Sequence, residues 1–123
     1  RIADNPSERL ALGNLDVMRD WGWAPEYVEA MHRMLQHDKP DDYILATGES
    51  RHLRDFVAAA FAAVGLTWRD HVDVSAEISR TAEVSCSRAE VGRTRDRLGW
   101  TANVRFDELV RKLIACERSG DLG

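Results

Sequence analysis

The sequence predicts a small α/β domain in which short strands are separated by several helices. Three stretches carry apolar residues at helical spacing, and short apolar runs between them end at glycine or polar turn residues. The length of 123 residues is that of one domain. Strands this short make a poor freestanding sheet, so we expect a lobe that packs against a larger partner domain.

The first third of the chain predicts a strand, a loop and a helix. Leu10-Ala11-Leu12 is a short apolar run that ends at Gly13-Asn14 and predicts the strand. Residues 16–23 are dense in charge and tryptophan and predict a loop. Pro25 and Glu26 suit the first turn of a helix. The apolar residues at helical spacing in this helix are Tyr27, Val28, Met31, Met34 and Leu35.

The middle of the chain predicts a buried strand followed by a second helix. Tyr43-Ile44-Leu45-Ala46 is apolar throughout and predicts a strand that is buried on both faces. Thr47-Gly48-Glu49-Ser50 predicts a strand-to-helix turn in which Ser50 is the N-cap. Gly65 predicts the end of the helix. Its apolar positions are Leu53, Phe56, Val57, Ala60, Phe61 and Val64.

The last part of the chain predicts a strand, an irregular segment and two helices. Residues 68–74 predict a brief turn and strand, and residues 75–90 are polar and irregular. Residues 88–98 predict a short helix that Gly99 ends, with Trp100 as a hydrophobic contact that closes it. A final amphipathic helix is predicted from Phe106, Leu109, Val110, Leu113 and Ile114.

Composition excludes several classes of protein. The 17 basic and 21 acidic residues give a net charge of −4, which argues against a general nucleic-acid binder. No apolar run approaches the roughly 20 residues of a membrane span. Cys86 and Cys116 are too few for a disulfide scaffold or a Cys-rich zinc site. The chain begins Arg1-Ile2-Ala3 without an initiator methionine, so we expect a processed product or a piece of a longer protein.

The residue patterns predict no catalytic, cofactor-binding or metal-binding residue in this chain. His32 and His37 are five residues apart and so lie on different faces of one helix. No Gly-x-Gly-x-x-Gly or Gly-Lys-Ser/Thr phosphate loop is present in the sequence. No Tyr-x-x-x-Lys pattern is present either, since Met31 follows Tyr27 at that spacing.

The sequence indicates ligand-binding residues more clearly than catalytic ones. Arg19 lies in a charged, Trp-rich stretch and could grip a phosphate with its planar fork, or it could pair with surface neighbours as Asp20 could. Arg80 and Glu83 could hold a phosphate and a ribose, or they could form an exposed ion pair. Asn14 reads either as a binding amide or as a turn residue.

Two tryptophans leave a similar choice. Trp21 and Trp23 could stack on a base, or they could belong to the core at the start of a helix.

Several runs of this sequence together resemble one enzyme family, the GDP-mannose 4,6-dehydratases, which are extended short-chain dehydrogenase/reductases. The similarity covers nearly the whole chain and keeps the family's order and spacing. The runs that carry it are Leu12-Gly13-Asn14-Leu15-Asp16, Arg19-Asp20-Trp21-Gly22, Glu26-Tyr27-Val28-Glu29-Ala30-Met31, Ala46-Thr47-Gly48-Glu49, Arg80-x-Ala82-Glu83-Val84, Leu98-Gly99-Trp100 and Phe106-x-Glu108-Leu109-Val110.

The resemblance implies a fold and a reaction. It implies that residues 1–123 are the small C-terminal substrate-binding domain of an enzyme whose N-terminal Rossmann domain, absent from this chain, binds NADP. The implied enzyme is a lyase that converts GDP-mannose to GDP-4-keto-6-deoxymannose and water, a step toward GDP-fucose or other deoxysugars. Its catalytic residues precede this sequence, so we expect the isolated chain to be inactive.

The resemblance also implies binding roles and partners. Arg19 and Arg80 match the arginines that contact the diphosphate, and Glu83 matches the carboxylate that holds the ribose hydroxyls. Asn14 and Leu12 match positions that line the guanosine. The expected partner is GDP-mannose or a related GDP-sugar, and we expect a cytoplasmic full-length enzyme that forms a homo-oligomer and has neither nucleic-acid nor membrane partners.

Two alternatives to this interpretation remain. The chain could be the substrate lobe of another nucleotide-sugar epimerase or reductase, or a truncated module without catalysis. A fragment of a two-domain fold is expected to expose the apolar face that meets its partner domain.

Overall fold

Four α-helices and four short strands make up the described part of the chain. The computed structural model describes residues 1–75, 78 and 84–120. The α/β class predicted from the sequence is therefore confirmed. In chain order the elements are β1 (Leu10–Leu12), β2 (Met18–Asp20), α1 (Ala24–Leu35), β3 (Ser50–His52), α2 (Leu53–Ala63), a 3₁₀ turn (Trp68–Asp70), β4 (Val72–Val74), α3 (Gly92–Leu98) and α4 (Phe106–Ser119).

The four described strands form two separate two-stranded sheets. Strand β1 pairs with β4 in parallel, with Leu10 opposite Val72 and Leu12 opposite Val74. Strand β2 pairs with β3 in antiparallel, with Arg19 opposite Arg51. The strands of each pair are far apart in sequence, so neither pair is a simple hairpin.

The described residues form two hydrophobic cores, and the first lies between the β1–β4 pair and helix α2. Phe61 of α2 is almost fully buried, and its ring stacks on that of His71 with centroids 5.8 Å apart. Helix α4 packs along α2 beside this core. The buried residues of this first core are Leu15, Val57, Phe61 and Val72.

The second core joins α1 to α3 and to the turn that follows α3. Trp100 is 4% exposed, and its ring meets Tyr27 edge to face with centroids 5.7 Å apart. Gly99 ends α3 with a φ of +63°, which favours glycine. Trp100 therefore packs next to the end of α3, as predicted from the sequence. The buried residues of this core are Ala30, Leu98, Trp100 and Ala102.

Two of the predicted boundaries were wrong, because residues that were predicted to form a loop and a turn pair as strands β2 and β3. Residues 16–23 were expected to form a loop, yet they contain β2. Ser50 is the first residue of β3 and not a helix N-cap, which is His52. The N-cap lies two residues later because β3 runs directly into α2.

The strand predicted at Tyr43-Ile44-Leu45-Ala46 is absent from the described part of the chain. Both backbone groups of Ile44 bond to the Thr94 hydroxyl, with Ile44 N–H donating at 3.1 Å and its carbonyl accepting at 2.8 Å. Ile44 is 54% exposed, so only Ala46 of this run is fully buried. The hydrogen bonds of Ile44 to the Thr94 side chain take the place of the strand pairing that the apolar run predicts.

Helix α1 buries a narrower face than its sequence suggests. Ala30 is completely buried, and Tyr27 and Met34 pack around it. Val28 and Leu35 remain 63% and 82% exposed. The apolar residues span too wide an arc for one face, so one side of α1 presents large apolar side chains at the surface.

The end of α2 and the first turn of α4, by contrast, match their predictions. Helix α2 ends before Gly65, which has a φ of +76°. Asp107 and Glu108 occupy the first turn of α4, where acidic groups suit the helix dipole. The predicted turn and strand over residues 68–74 are also confirmed.

Candidate functional site

Arg19 lies in the middle of β2, between two neighbouring stretches of backbone. Strand β3 pairs with β2 on one side. On the other side, Met18 N–H donates to Ser85 O at 2.8 Å and forms a parallel bridge with Cys86. Arg19 Nη1 donates to Val84 O at 2.7 Å, so the half-buried guanidinium group reaches the start of that segment.

The second and third predicted binding residues, Arg80 and Glu83, lie outside the described residues. Val84, which directly follows Glu83 in the sequence, is described and accepts the hydrogen bond from Arg19. The chain next to Glu83 therefore reaches β2.

Asp20 links the two most distinctive runs of the sequence. One of its oxygens accepts hydrogen bonds from both the backbone N–H and the hydroxyl of Thr47, each at 2.9 Å. The other oxygen accepts from Gly48 N–H at 2.8 Å. Among the described residues, the partners of Asp20 are therefore neutral donors of the 47–48 turn and not a surface cation, which was one interpretation of its sequence. The sequence analysis did not predict that Asp20 binds this turn. The one signal for it was that Arg19-Asp20-Trp21-Gly22 and Ala46-Thr47-Gly48-Glu49 occur in the same chain.

The turn that Asp20 holds is also attached to the start of α4. Glu49 lies 3.6 Å from Arg105 and 3.7 Å from Arg51. Arg105 also donates to Thr47 O at 3.4 Å. Gly48 adopts a φ of +81°, which favours glycine at this turn.

Trp21 is half-buried and packs against helix α2. Its ring lies against Phe56 of α2 with centroids 4.7 Å apart. Its indole Nε1 is buried and has no hydrogen-bond partner among the described residues. Trp23 lines an apolar groove of about 760 Å³ between α1, α2 and α4, and the Lys112 ammonium lies 5.7 Å from its ring centroid. The core interpretation fits Trp21 better than base stacking does.

Asn14 and Leu12 lie near each other at the end of β1. Asn14 Oδ1 accepts from Asp16 N–H at 2.8 Å, which is the geometry of a turn residue. Asn14 also lines a groove of about 520 Å³, together with Trp68 and Arg69. Leu12 is half-buried against the first core.

The groove beside Asn14 carries both charge and an aromatic surface. The Arg69 guanidinium lies 4.8 Å from the Trp68 ring centroid, and Arg54 forms an ion pair with Asp16 across the groove. A groove of this chemistry can accept a planar polar ligand.

The Tyr27 phenol is half-buried close to Asp20 and Glu26. Burial, and then the nearby carboxylates of Asp20 and Glu26, raise the pKa of the Tyr27 phenol. A raised pKa keeps this phenol protonated, so Tyr27 is unsuited to act as a general base near neutral pH.

Histidine and acidic side chains are used as structural partners. His37 Nε2 donates to Arg97 O at 3.0 Å, and His52 Nδ1 donates to Asp16 O at 2.9 Å. Over residues 1–75, 78 and 84–120, no group of three His, Cys, Asp or Glu side chains could hold a metal ion. Within the same ranges, no helix is long and apolar enough to cross a membrane.

The turn after Ala46 does not fit a dinucleotide. A phosphate at such a turn needs free backbone N–H groups, but those of Thr47 and Gly48 already donate to Asp20. The described residues thus offer no cradle for NADP at this turn.

Comparisons with known proteins agree on one family. A family model described as GDP-mannose 4,6 dehydratase matches residues 1–113. The chain is similar to GDP-mannose 4,6 dehydratase 1 of Arabidopsis thaliana, with 41% identity over 114 residues that cover 93% of this chain and 32% of that protein. It is similar to the Homo sapiens GDP-mannose 4,6 dehydratase, with 39% identity over 124 residues that cover 87% and 33%.

Solved structures show the same fold at lower identity. RMD from Pseudomonas aeruginosa complexed with NADPH gives a TM-score of 0.80 at 21% identity, over 93% of this chain and 37% of that one. The dTDP-glucose 4,6-dehydratase from Bacillus anthracis in complex with NAD gives 0.82 at 13% identity, over 98% and 38%. The chain spans about a third of the length of the curated relatives that it matches. From its sequence, this chain belongs to the GDP-mannose 4,6-dehydratase family.

Proposed function

We propose that residues 1–123 form the nucleotide-sugar-binding domain of a GDP-mannose 4,6-dehydratase. In this proposal Arg19 and Arg80 hold the diphosphate of GDP-mannose or a related GDP-sugar. Glu83 accepts hydrogen bonds from the ribose hydroxyls, and Asn14 and Leu12 lie along the guanosine.

The hydrogen bond between Arg19 and Val84 is the observation that carries this proposal. Its length of 2.7 Å places Arg19 beside the residue that follows Glu83. A phosphate-binding arginine and a ribose-binding carboxylate must lie close together to hold one nucleotide. The Arg19–Val84 contact supports such closeness for residues that are far apart in the sequence.

The chemistry of these side chains suits a nucleoside diphosphate. The planar guanidinium fork forms paired, charge-assisted hydrogen bonds with phosphate oxygens. An ionised carboxylate only accepts hydrogen bonds, so Glu83 suits the two hydroxyl donors of a ribose. The net charge of −4 allows such a site, because a few well-placed arginines are enough to hold one small anion.

In this proposal the residues of this chain take no part in the hydride transfer. NADP would supply hydride removal and return when bound by the remaining part of a full-length enzyme. The residues described above bind and orient the substrate. We propose that the full-length enzyme is a cytoplasmic homo-oligomer.

Two measurements test the proposal. Calorimetric titration of the chain with GDP and with UDP should show binding of GDP and weaker binding of UDP. A preference for UDP would instead support the substrate lobe of another nucleotide-sugar epimerase or reductase. Binding of neither nucleotide would contradict the proposal and support a truncated module that lacks this site.

A second assay tests whether the chain is active by itself. Incubation with GDP-mannose and NADP should give no 4-keto sugar, because the patterns of a hydride-carrier site and a proton-relay tyrosine are missing from the sequence. Product above the level of a protein-free control would refute the proposal that this chain binds the substrate but does not catalyse the reaction by itself.

A further inference from the structure

The groove beside Asn14 contains an arginine without an acidic partner. Among the described residues, no carboxylate lies within ion-pair distance of the Arg69 guanidinium group, which lies 4.8 Å from the Trp68 ring centroid. Arg54, the other cation that lines this groove, is paired with Asp16. Of the charged side chains that line the groove, Arg69 is therefore the one that carries an unneutralised charge.

We propose that Arg69 recognises the guanine base of the ligand by donating hydrogen bonds to its O6 and N7 atoms, and so determines the preference for a guanine nucleotide. This inference rests on the proposed function, in which Asn14 lies along the guanosine, because Asn14 and Arg69 line the same groove. It adds a residue that contacts the base and that neither the sequence patterns nor the resemblance indicated.

The guanidinium group of Arg69 and one edge of guanine are chemically complementary. Guanine presents two neighbouring acceptors, O6 and N7, and the planar fork of an arginine can donate to both. Adenine has an amino group in place of O6, so the same fork would face a donor. Arg69 is therefore expected to favour a guanine nucleotide over an adenine nucleotide.

Trp68 limits the directions in which Arg69 can point. The two residues are neighbours in the 3₁₀ turn, and a cation at this distance from an indole ring is attracted to it. Trp68 is half-buried and packs against the first core, whereas Arg69 is exposed. A guanidinium group held by an anchored ring samples fewer orientations, which lowers the entropy lost when a ligand binds.

The rest of the groove suits a purine in size and in chemistry. Its volume of about 520 Å³ lies within the range of about 300–1,000 Å³ that is usual for small-molecule sites. Leu15 and Val74 also line it and offer apolar contacts to the faces of a base. Asn14 uses its side-chain oxygen to accept from Asp16 N–H. The side-chain amino group of Asn14 has no partner among the described residues and can donate to the nucleoside.

The test is a calorimetric titration of the chain and its variants with GDP and with ADP. The unaltered chain should bind GDP more tightly than ADP. Arg69→Ala should lower the ratio of the two affinities about tenfold, because one paired contact with the base is lost. Arg111→Ala is the matched control and should leave the ratio unchanged, since it removes an exposed arginine of α4 that donates to Asp107 O.

Arg69→Gln should change the base preference in a way that a structural role would not. The amide of glutamine has one acceptor and one donor group, which pair with N6 and N7 of adenine. This variant should therefore bind GDP more weakly and ADP more tightly than the unaltered chain does. Arg69→Lys keeps the charge without the fork and should retain part of the preference for GDP.

Thermal unfolding without ligand separates binding from folding. Because Arg69 is exposed and its described side-chain contact is with the Trp68 ring, the melting temperature of Arg69→Ala should stay close to that of the unaltered chain. The rise in melting temperature on adding GDP should shrink. If Arg69→Ala does not fold, Arg69→Gln and Arg69→Lys provide the same comparison, because they retain a long polar side chain.

The results distinguish this inference from the proposed function. If the unaltered chain binds GDP and Arg69→Ala leaves the ratio of GDP to ADP affinity unchanged, the inference alone is overturned. Equal losses for GDP and ADP would also overturn it, because they indicate attraction to the phosphates and not recognition of the base. No GDP binding by the unaltered chain would overturn both the inference and the proposed function.

Discussion

Asp20 holds Thr47 through two hydrogen bonds of 2.9 Å, one from the backbone N–H and one from the hydroxyl. Helix α1 and the segment that follows it lie between these two residues in the sequence. The carboxylate therefore fixes the end of β2, which carries Arg19, against the turn that leads into β3.

Replacing Asp20 should destabilise the fold. Asp20→Ala leaves the N–H groups of Thr47 and Gly48 without their acceptor, and we expect a loss of about 3 kcal/mol in the free energy of unfolding. Thr47→Val removes only the hydroxyl and should cost about 1 kcal/mol. Urea unfolding of the two variants measures this difference, and equal losses would show that the backbone donors contribute little.

Substitution of Gly22 should disturb the second core. A Cβ at this position would overlap the phenol of Tyr27, which packs against Trp100. Gly22→Ala should therefore cost about 1–3 kcal/mol as an overpacking change. The loss should be smaller in a chain that also carries Tyr27→Leu, because the overlapping ring is gone. Additive losses in the double variant would rule out the overlap as the cause.

Removing the guanidinium of Arg19 should weaken nucleotide binding. Arg19→Ala should reduce the affinity for GDP by about 2 kcal/mol, as expected for charge-assisted contacts. Arg95→Ala, which removes an exposed arginine of α3 paired with Asp96, is the control. Calorimetric titration measures both. An unchanged affinity in Arg19→Ala would refute its role in binding.

The helices could be predicted from the sequence because their signal is local. Periodic apolar residues and the glycines at positions 65 and 99 are enough to place α2 and α3 within a few residues. Strand β2 could not be predicted, because Met18-Arg19-Asp20 contains a single apolar residue and no alternation. Its strand character comes from backbone pairing with segments that lie far away in the sequence.

The contacts of the candidate site were only partly predictable for the same reason. A guanidinium group beside tryptophan indicated Arg19, and the resemblance supported it. Asp20 gave no comparable signal, because its partners are mainly backbone N–H groups, which every residue but proline has. The position of Arg51 opposite Arg19 could not be predicted either, because the register of β2 and β3 comes from pairing between distant segments.

Asp41 should make stability depend on pH at the acidic end. A hydrogen bond from Arg97, then one from the Asp42 backbone, and the charge of Arg93 lower the pKa of the Asp41 carboxyl. Since the pKa is lower in the folded state, the unfolded chain binds more protons in this range. The stabilisation is present above the ordinary Asp pKa, and it is lost as the pH falls from about 4 through the lowered folded value.

Variants around Asp41 test this dependence. Asp41→Asn should flatten the fall of melting temperature between about pH 5 and pH 2. Arg97→Gln should act in the same direction, while Arg95→Gln should not, because Arg95 pairs with Asp96. If the melting temperature fell with pH in the same way for the unaltered chain and for Asp41→Asn, other carboxylates would be responsible for the loss of stability in acid.

The exposed side of α1 should bind apolar molecules. Met31 and Leu35 are 52% and 82% exposed. We expect the chain to enhance the fluorescence of an apolar dye and to self-associate, as a face that normally meets another domain would. Replacing both residues with Glu should reduce the two signals with little change in stability. Met34→Glu, at a half-buried position against the second core, should destabilise the fold instead, and a monomer that binds no dye would contradict the prediction.

The pairing of β2 with β3 links the site to the order of folding events. Since α1 and the segment from Gln36 to Glu49 lie between the two strands, closing this pair costs more loop entropy than closing a hairpin would. We therefore expect the β2–β3 pair to form late in folding, because pairing between distant segments is slow. A ligand that binds beside Arg19 would then report on a late folding step.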